Sequence, residues 1–456
     1  MNTIAIFDIG KTNKKLFLFN EQYQIVLERT VQFPEIIDED GFPCDDVLQL
    51  SEWVKQSLQE ILLLKEFTVQ AVNFSAYGAS FVYINSIGKV LSPLYNYLKP
   101  FPSILKENFY QKYGGAVEVS LATASPVLGN LNSGMQLYRI KNSLPALFEQ
   151  IHYALHLPQY ISYLVTGKAF SEITCIGCHT GLWDFANHKY HDWVYKEGII
   201  EMFPAIEPSN YTVEVIVNGK SLQAGIGLHD SSSALIPYLT SFSEPFILLS
   251  TGTWCISFNP FNDDPLTVDE LQKDCLCFLE YHGRPVKASR LFTGNEHEQQ
   301  VKRLAKYFNV SADYYKKIIF IPALLEKYIS DNQGTKVEKG LHFSAFTNRT
   351  LESFRSYEEA YHQLIYDIVQ QQKLAISFVF SSRKVTRIFV DGGFAQNHVF
   401  MHMLATSFPM MEVSAAAVSQ ASAIGAALAI HDAWNPLPIP SNLIELKSYA
   451  CPINHS

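Results

Sequence analysis

The sequence predicts an α/β protein made of two similar domains that face each other. Three observations carry this reading. First, apolar strand-like runs alternate with stretches of helical spacing over 456 residues, a length suited to two or three domains of about 100–200 residues each. Second, Ile4–Phe7 and Leu16–Phe19 flank a polar turn with a central glycine, and Phe246–Ser250 and Trp254–Phe258 repeat that design. Third, 13% of the residues are aromatic and only 17% are charged, against about 25% charged in a typical soluble domain. Such a chain has the apolar mass to fill two cores, and a disordered, collagen-like or coiled-coil protein is excluded.

The elements follow in order. After the first hairpin, Val69 to Tyr83 offers a strand and a glycine-containing loop. Leu131 to Phe148 has helical spacing at Leu137, Ile140, Leu144 and Leu147. Leu157 to Gly167 continues as a short helix ending at a glycine, a common stop. Strand and turn then alternate through TCIGCHTGLWDF. Gly225 to Leu239 runs from a glycine-rich loop into a helix. A serine-rich patch precedes Glu244-Pro245, which sets the domain boundary: residues 1–243 and 244–456. The second half has a long helix, Tyr357 to Phe380, then a strand Arg387 to Val390, Asp391-Gly-Gly393 and a helix through Leu404. From Pro436 onward a proline-rich tail is expected to be poorly ordered at its end. Aligning Asp8 with Ser250 places Gly10 on Gly252, as an internal duplication would. Two unrelated hairpins would look the same.

The N-terminus, MNTIAIFDIGKTNKK, lacks a basic leader and its apolar run is broken at Asp8, so it does not read as a signal peptide. No stretch approaches the ~18 uncharged apolar residues of a membrane helix. A cytoplasmic protein is expected, with no membrane partner. The net charge of −9 argues against a nucleic-acid partner, because phosphate contacts need a basic face. Seven cysteines give no disulfide framework. Cys175 with Cys178 and Cys275 with Cys277 lack a second pair at zinc spacing and read as buried, reduced thiols.

Asp8-x-Gly10-x-Thr12-x-x-Lys15 is the richest local signal. Gly10 allows a tight turn close to a ligand. Lys11, Thr12, Asn13 and nearby N–H groups can donate to phosphate oxygens, while Asp8 can hold Mg²⁺ or its water shell. An ordinary charged turn is the plain alternative, weakened because Asp8 ends a fully apolar strand. Ser250-Thr-Gly252-Thr253 could form the opposite jaw. Asp391-Gly392-Gly393-Phe-Ala-Gln-Asn397 sets two glycines between a strand and a helix, where N–H groups can face a ligand. The GxxxxGK[ST], GxGxxG, HExxH and GxSxG patterns and the protein-kinase HRD and DFG sets are absent, so P-loop, Rossmann, zincin, hydrolase-elbow and protein-kinase sites are excluded. Gly227-Leu-His229-Asp230-Ser-Ser-Ser233 holds the best catalytic candidate. Asp230 stands at a loop-to-helix junction, either as a general base for a hydroxyl or as a helix cap. Spacing alone favours the cap.

With these pieces in order, the chain resembles the FGGY carbohydrate kinase family over nearly its whole length. DIGKTNKK resembles the first phosphate motif and STGTW the second. DGGFAQN with QASAIGAAL resembles the adenosine region, and LNSGMQLYRIKNSLPALFEQ followed by LPQYISYLVTG resembles the middle signature. GLHDSSSAL resembles the segment with the catalytic Asp, most similar to the rhamnulokinase and fuculokinase branch. The resemblance implies a duplicated actin-like, ribonuclease-H-like fold with an interdomain cleft. Residues 1–243 would form the sugar-binding and catalytic domain, and residues 244–456 the nucleotide-binding domain. It implies ATP and Mg²⁺ as cofactors and a small sugar as substrate. Asp230 becomes the general base, and Asp8 and Asp230 the groups near the metal. Gly10, Thr12, Asn13, Lys15, Gly252 and Thr253 would face the phosphates. Gly392, Gly393 and Asn397 would line the adenosine pocket.

One departure limits the carry-over. The family's W-x-D-x-R-like sugar segment corresponds here to Leu94-Tyr-Asn96-Tyr97-Leu-Lys99, without the Asp and Arg. Asn96, Tyr97 and Lys99, with Tyr77, Gly78 and His229, are the candidate substrate contacts, since aromatic faces stack on sugars and Asn pairs with hydroxyls both ways. His179, Trp183 and Asp184 read as a polar-aromatic cluster near the cleft, with a packing role favoured. The expected activity is phosphorylation of a ketose or deoxyketose similar to L-rhamnulose or L-fuculose. The alternatives are another polyol, pentulose or sugar acid, and a non-enzymatic actin-like ATP-binding protein. A homodimer stays open.

Overall fold

The structure, a computed structural model, describes residues 1–331, 344–418 and 420–450. Two seven-stranded sheets form its frame. The first contains β1 (Asn2–Ile9), β2 (Lys14–Asn20), β3 (Ile25–Val31), β4 (Thr68–Ala76), β5 (Thr212–Val217), β6 (Lys220–Gly225) and β7 (Leu228–His229). Its order is β5-β6-β4-β1-β2-β3, with β7 also pairing beside β4. The second contains β8 (Phe246–Thr251), β9 (Cys255–Asn259), β10 (Cys275–Leu279), β11 (Pro285–Leu291), β12 (Arg387–Gly392), β13 (Glu412–Ala417) and β14 (Glu445–Tyr449), in the order β10-β11-β9-β8-β12-β13-β14.

The two sheets repeat one plan. β1 pairs antiparallel with β2 and parallel with β4; β8 pairs antiparallel with β9 and parallel with β12. Each turn is closed by a glycine N–H, the second turn being one residue shorter. The Gly10 N–H donates to the Asn13 carbonyl, and the Gly252 N–H to the Trp254 carbonyl, both at 2.9 Å. Asp8 lies opposite Ser75 of β4, and Ser250 lies opposite Asp391 of β12. The hairpins are therefore equivalent, with acid and serine exchanged between the neighbouring strands.

Why β1 is apolar without alternation follows from its place. Ile4 and Ile6 enter the core under α4 (Asp230–Ser241) and α8 (Ala421–Ala429), whereas Ala5, Phe7 and Ile9 enter the core with α1 (Val47–Leu63) and α3 (Leu157–Thr166). A central strand covered on both faces needs apolar residues on both. The core under α4 and α8 also takes Phe246, Leu248 and Phe389 from the second sheet, so one apolar layer joins the two halves. Another core packs Ile247 and Leu249 against α5 (Thr293–Phe308), α6 (Tyr357–Ser377) and α7 (His398–Ser407).

Three segments differ from expectation. Ile173–Ile176 is a helical turn rather than a strand, because the Glu172 carboxylate caps the Thr174 and Cys175 N–H groups. The helical stretch from Leu131 breaks into α2 (Ser133–Ser143) and a single turn, Pro145–Phe148, since Pro145 has no N–H to continue the ladder. The proline-rich tail returns as β14 against β13; its end, residues 451–456, lies outside the described residues. Cys44, Cys175, Cys178, Cys255, Cys275 and Cys277 are unpaired and buried. Among the described residues no helix is long and apolar enough to cross a membrane.

α4 and α8 cross at close range. A Cβ on Gly425 would lie 1.8 Å from the Ser233 carbonyl oxygen, and the Ser233 hydroxyl donates to the Ser422 carbonyl at 2.7 Å. Gly425→Ala should force the helices apart and lower unfolding free energy by about 1–3 kcal/mol. Urea denaturation checks this, and an unchanged midpoint contradicts it.

Candidate active site

Asp230 is the first residue of α4, and β7 delivers it there. The cap reading is corrected: His229 occupies the cap position, and the Asp230 carboxylate instead accepts from the Ser231 N–H at 2.6 Å and the Ser231 hydroxyl at 3.2 Å. The helix start favours its negative charge, but burial dominates and pushes its pKa up to about 6. Its side chain is 33% exposed, into a cleft of about 330 Å³ that Ser250, Asp391, Gln420 and Ser422 also line.

Asp8 stands beside this cleft. The Ser422 hydroxyl donates to Asp8 Oδ2 at 2.9 Å. Burial raises the Asp8 pKa to about 6; the Ser422 bond opposes the shift and the charge of Asp230 adds to it. Asp391, quoted in the sequence pattern but given no role there, is a third acid. Burial raises its pKa, against bonds from the Gly392 N–H and the Tyr238 hydroxyl. Its signal was the strand-end position that mirrors Ser75. Gln420 and Ser422 were hidden because only folding brings α8 to this cleft.

The turn residues separate into two groups. Lys15 reaches across to Gln420 Oε1 at 3.3 Å, with Glu28 at 3.5 Å. Gly10 shapes the turn, while Thr12 and Asn13 are exposed at its tip, and Asn13 accepts from Gln32. In the second half, Gly252, Gly393 and Asn397 line a cleft of about 410 Å³ with Gly294, His297 and Tyr315. Thr253 lines its neighbour with Lys316. Gly392 has φ +85°, and a Cβ there would lie 1.9 Å from the Thr251 carbonyl oxygen, so only glycine fits. The Asn397 side chain caps α7 by accepting from the Phe400 N–H and donates to the Tyr361 hydroxyl.

On the other side of Asp230, a Cβ on Gly78 would meet the His229 ring at 2.9 Å, so the glycine lets β4's loop close onto that ring. The Tyr77 hydroxyl donates to Asp45 Oδ2 at 2.8 Å, and its ring lies 6.0 Å from that of Tyr97. Asp45, absent from the sequence reading, also takes Lys11 at 2.6 Å and Lys14 at 3.4 Å. Asn96 spends its carbonyl on the Leu98 N–H. Lys99 is withdrawn from the site: it is 7% exposed and held by Asp38 at 2.6 Å and Asp40 at 2.5 Å. Trp183 and Asp184 form a separate hairpin, where Asp184 caps Ala186 and Asn187. His179 does approach the site, with its ring 6.2 Å from that of His229. Burial pushes both rings down to about 3, so both are neutral at physiological pH.

The arrangement joins a partly exposed carboxylate to two further acids and, beside them, a glycine-walled cleft. Oxygen donors of this kind suit a hard divalent cation. The carboxylate and the glycine-walled cleft are thus adjacent.

Residues 3–236 match the FGGY family of carbohydrate kinases, N-terminal domain, and residues 243–437 match the carbohydrate kinase FGGY C-terminal domain. A rhamnulokinase of Mannheimia succiniciproducens is 23% identical over 276 residues, covering 56% of this chain and 52% of that protein. An L-fuculokinase of Salmonella typhi is 24% identical over 269 residues, covering 56% and 55%. The matched region thus spans about half the length of these curated relatives. A carbohydrate kinase structure from Novosphingobium aromaticivorans superposes with a TM-score of 0.80 at 22% identity, over 99% of this chain and 95% of that one. This likeness shows the duplicated actin-like fold.

Ionising Asp230 in its partly buried place opposes folding. Its folded pKa of about 6 lies above the ordinary value of 3.8, so the stability gained from holding its proton is present below about 4 and lost as pH rises through about 6. Asp230→Asn should therefore melt higher than the wild type at pH 7.5, with the gap closing towards pH 4. Melting curves across that range check it; parallel curves contradict it.

Proposed function

Because the chain belongs to the FGGY family of carbohydrate kinases, we propose that it transfers the γ-phosphate of ATP to a hydroxyl of a ketose or deoxyketose similar to L-rhamnulose or L-fuculose. The observation that carries the reading is Asp230, a carboxylate poised near pH 6 on the wall of a cleft shared with Asp391 and beside Asp8. Residues 1–243 would hold the sugar and the base, and residues 244–456 the nucleotide.

Asp230 accepts the proton of the sugar hydroxyl as the new O–P bond forms and the bond to the ADP oxygen breaks. Asp8 and Asp230 are the residues that would hold Mg²⁺. Bound Mg²⁺ supplies the positive charge that neutralises the phosphate oxygens. Lys15, tied to Gln420, adds a cation from the first half at the boundary with the second. Gly252, Gly393 and Asn397 shape the nucleotide cleft. The Thr174 hydroxyl, itself donated to Glu172, accepts from the His229 N–H at 3.0 Å and so fixes the start of α4. The layer of apolar side chains between the sheets lets the halves meet without trapped water, which would otherwise compete for the phosphoryl group.

A second substrate class is supported by one observation. Lys99 is committed to Asp38 and Asp40, so Tyr77, Gly78, Asn96, Tyr97 and His229 are left to read the sugar. A polyol, another pentulose or a sugar acid fits the same base and phosphate groups.

Coupled ADP release with Mg²⁺-ATP across ketoses, pentuloses, polyols and aldonic acids should find at least one sugar that stimulates turnover above the intrinsic ATPase. No stimulation by any sugar contradicts the reading. With the best sugar, Asp230→Asn should keep nucleotide binding and lose about 10²–10⁴-fold in kcat; near-normal kcat contradicts the role of Asp230.

A further inference from the structure

Behind Asp230 lies a cluster in which only His229 has a place among the proposed sugar contacts. One ligating atom each from Cys178, His179 and His229 lies within 4.8 Å of the other two. The Nδ1 of His179 faces the Leu131 carbonyl at 3.2 Å, and the Nδ1 of His229 faces the Ser232 hydroxyl at 3.3 Å. Each ring therefore has its Nδ1 engaged, the arrangement in which a second partner orients an imidazole that binds metal through its other nitrogen; His229 Nε2 faces Asp230 Oδ1 at 3.3 Å. The Cys178 thiol faces the Cys175 carbonyl at 3.2 Å and the Ala79 backbone.

The backbone around the cluster is also unusual. The position that a Cβ would take on Gly78 lies 2.9 Å from His229 Nε2 and 3.0 Å from Cys178 Sγ, so the glycine packs its backbone against both atoms where a side chain would collide. His179 holds φ +36°, a costly backbone for a residue with a side chain. Cys178 and His229 are buried, while His179 is partly exposed and gives a route from solvent. Tetrahedral sites with S and N ligands at 2.0–2.3 Å set ligand atoms about 3.3–3.8 Å apart, so a modest rotamer adjustment closes the set.

We propose that Cys178, His179 and His229 form a site for a thiophilic divalent cation such as Zn²⁺, and that filling it silences Asp230. Binding replaces the thiol proton of Cys178, which leaves to solvent, with a sulfur–metal bond. Asp230 Oδ1 lies 3.3 Å from His229 Nε2, close enough to become the fourth ligand and so lose its function as base. The silencing rests on the proposed kinase activity; the metal site does not.

The test uses the full-length protein, freed of metal, with Zn²⁺ followed by calorimetry and Co²⁺ by absorption. One ion per chain and a thiolate-to-cobalt charge-transfer band are expected. Cys178→Ser and His179→Gln, checked for folding by circular dichroism, should each weaken Zn²⁺ binding by about tenfold or more, and Cys178→Ser should abolish the band. Zn²⁺ should also inhibit sugar-stimulated ADP release, reversibly with a chelator, less so in these variants. Absent stoichiometric binding, or binding kept in Cys178→Ser but lost in Asp8→Asn, overturns the site. Thiolate-bound metal without inhibition overturns the silencing alone. If no sugar stimulates ADP release, the spectrum and affinities still decide the site.

Discussion

The helix that begins at Asp230 can lie where it does because Gly425 carries no side chain. At this crossing α8 comes close enough to α4 that a single methyl would collide with the Ser233 carbonyl. Much else depends on the approach. It brings Ser422 to Asp8, Gln420 to Lys15, and both to the cleft where Asp230 faces Asp391. The two halves are joined through the apolar layer beneath these helices rather than through surface charge. That explains a chain with few charged residues and many aromatic ones: its cores and the seam between them must both be dry.

Against this dry background the acids acquire their character. Asp8, Asp230 and Asp391 have raised pKa values because burial withholds water, and the few bonds they accept only partly restore it. Each of the first two keeps a serine hydroxyl partner, Ser422 on Asp8 and Ser231 on Asp230. The polar support is equally economical. Glu172, fully buried, accepts from Ser209 and Thr174 and two N–H groups, and Thr174 in turn holds the His229 N–H. A buried network of this kind fixes geometry when every member is satisfied.

Much of this was legible in the sequence. The repeated hairpin was visible because strand, turn and glycine are local, and the sheets confirm the equivalence of Gly10 and Gly252. Asp230 was visible as a carboxylate at a helix start, but base and cap look alike until the helix register shows His229 in the cap position. Gly425 sits in a run of small residues, and nothing local says which helix crosses it. Lys99 was misread as a sugar contact because its partner Asp38 is 61 residues away. The stretch from Thr174 reads in sequence as strand alternating with turn; the buried Glu172 carboxylate, accepting from the Thr174 and Cys175 N–H groups, makes Ile173–Ile176 a helical turn instead. β14 was missed because five residues after a proline-rich stretch carry little signal without the strand they pair with.

The account turns on Asp230 acting as a base whose burial sets its pKa. The pH dependence of kcat/KM for the sugar that best stimulates ADP release tests it most directly, because it reports groups in the free enzyme. The account predicts a plateau above pH about 6 and a fall of about tenfold or more per unit below it. A rate that stays level down to pH 4.5 would contradict it.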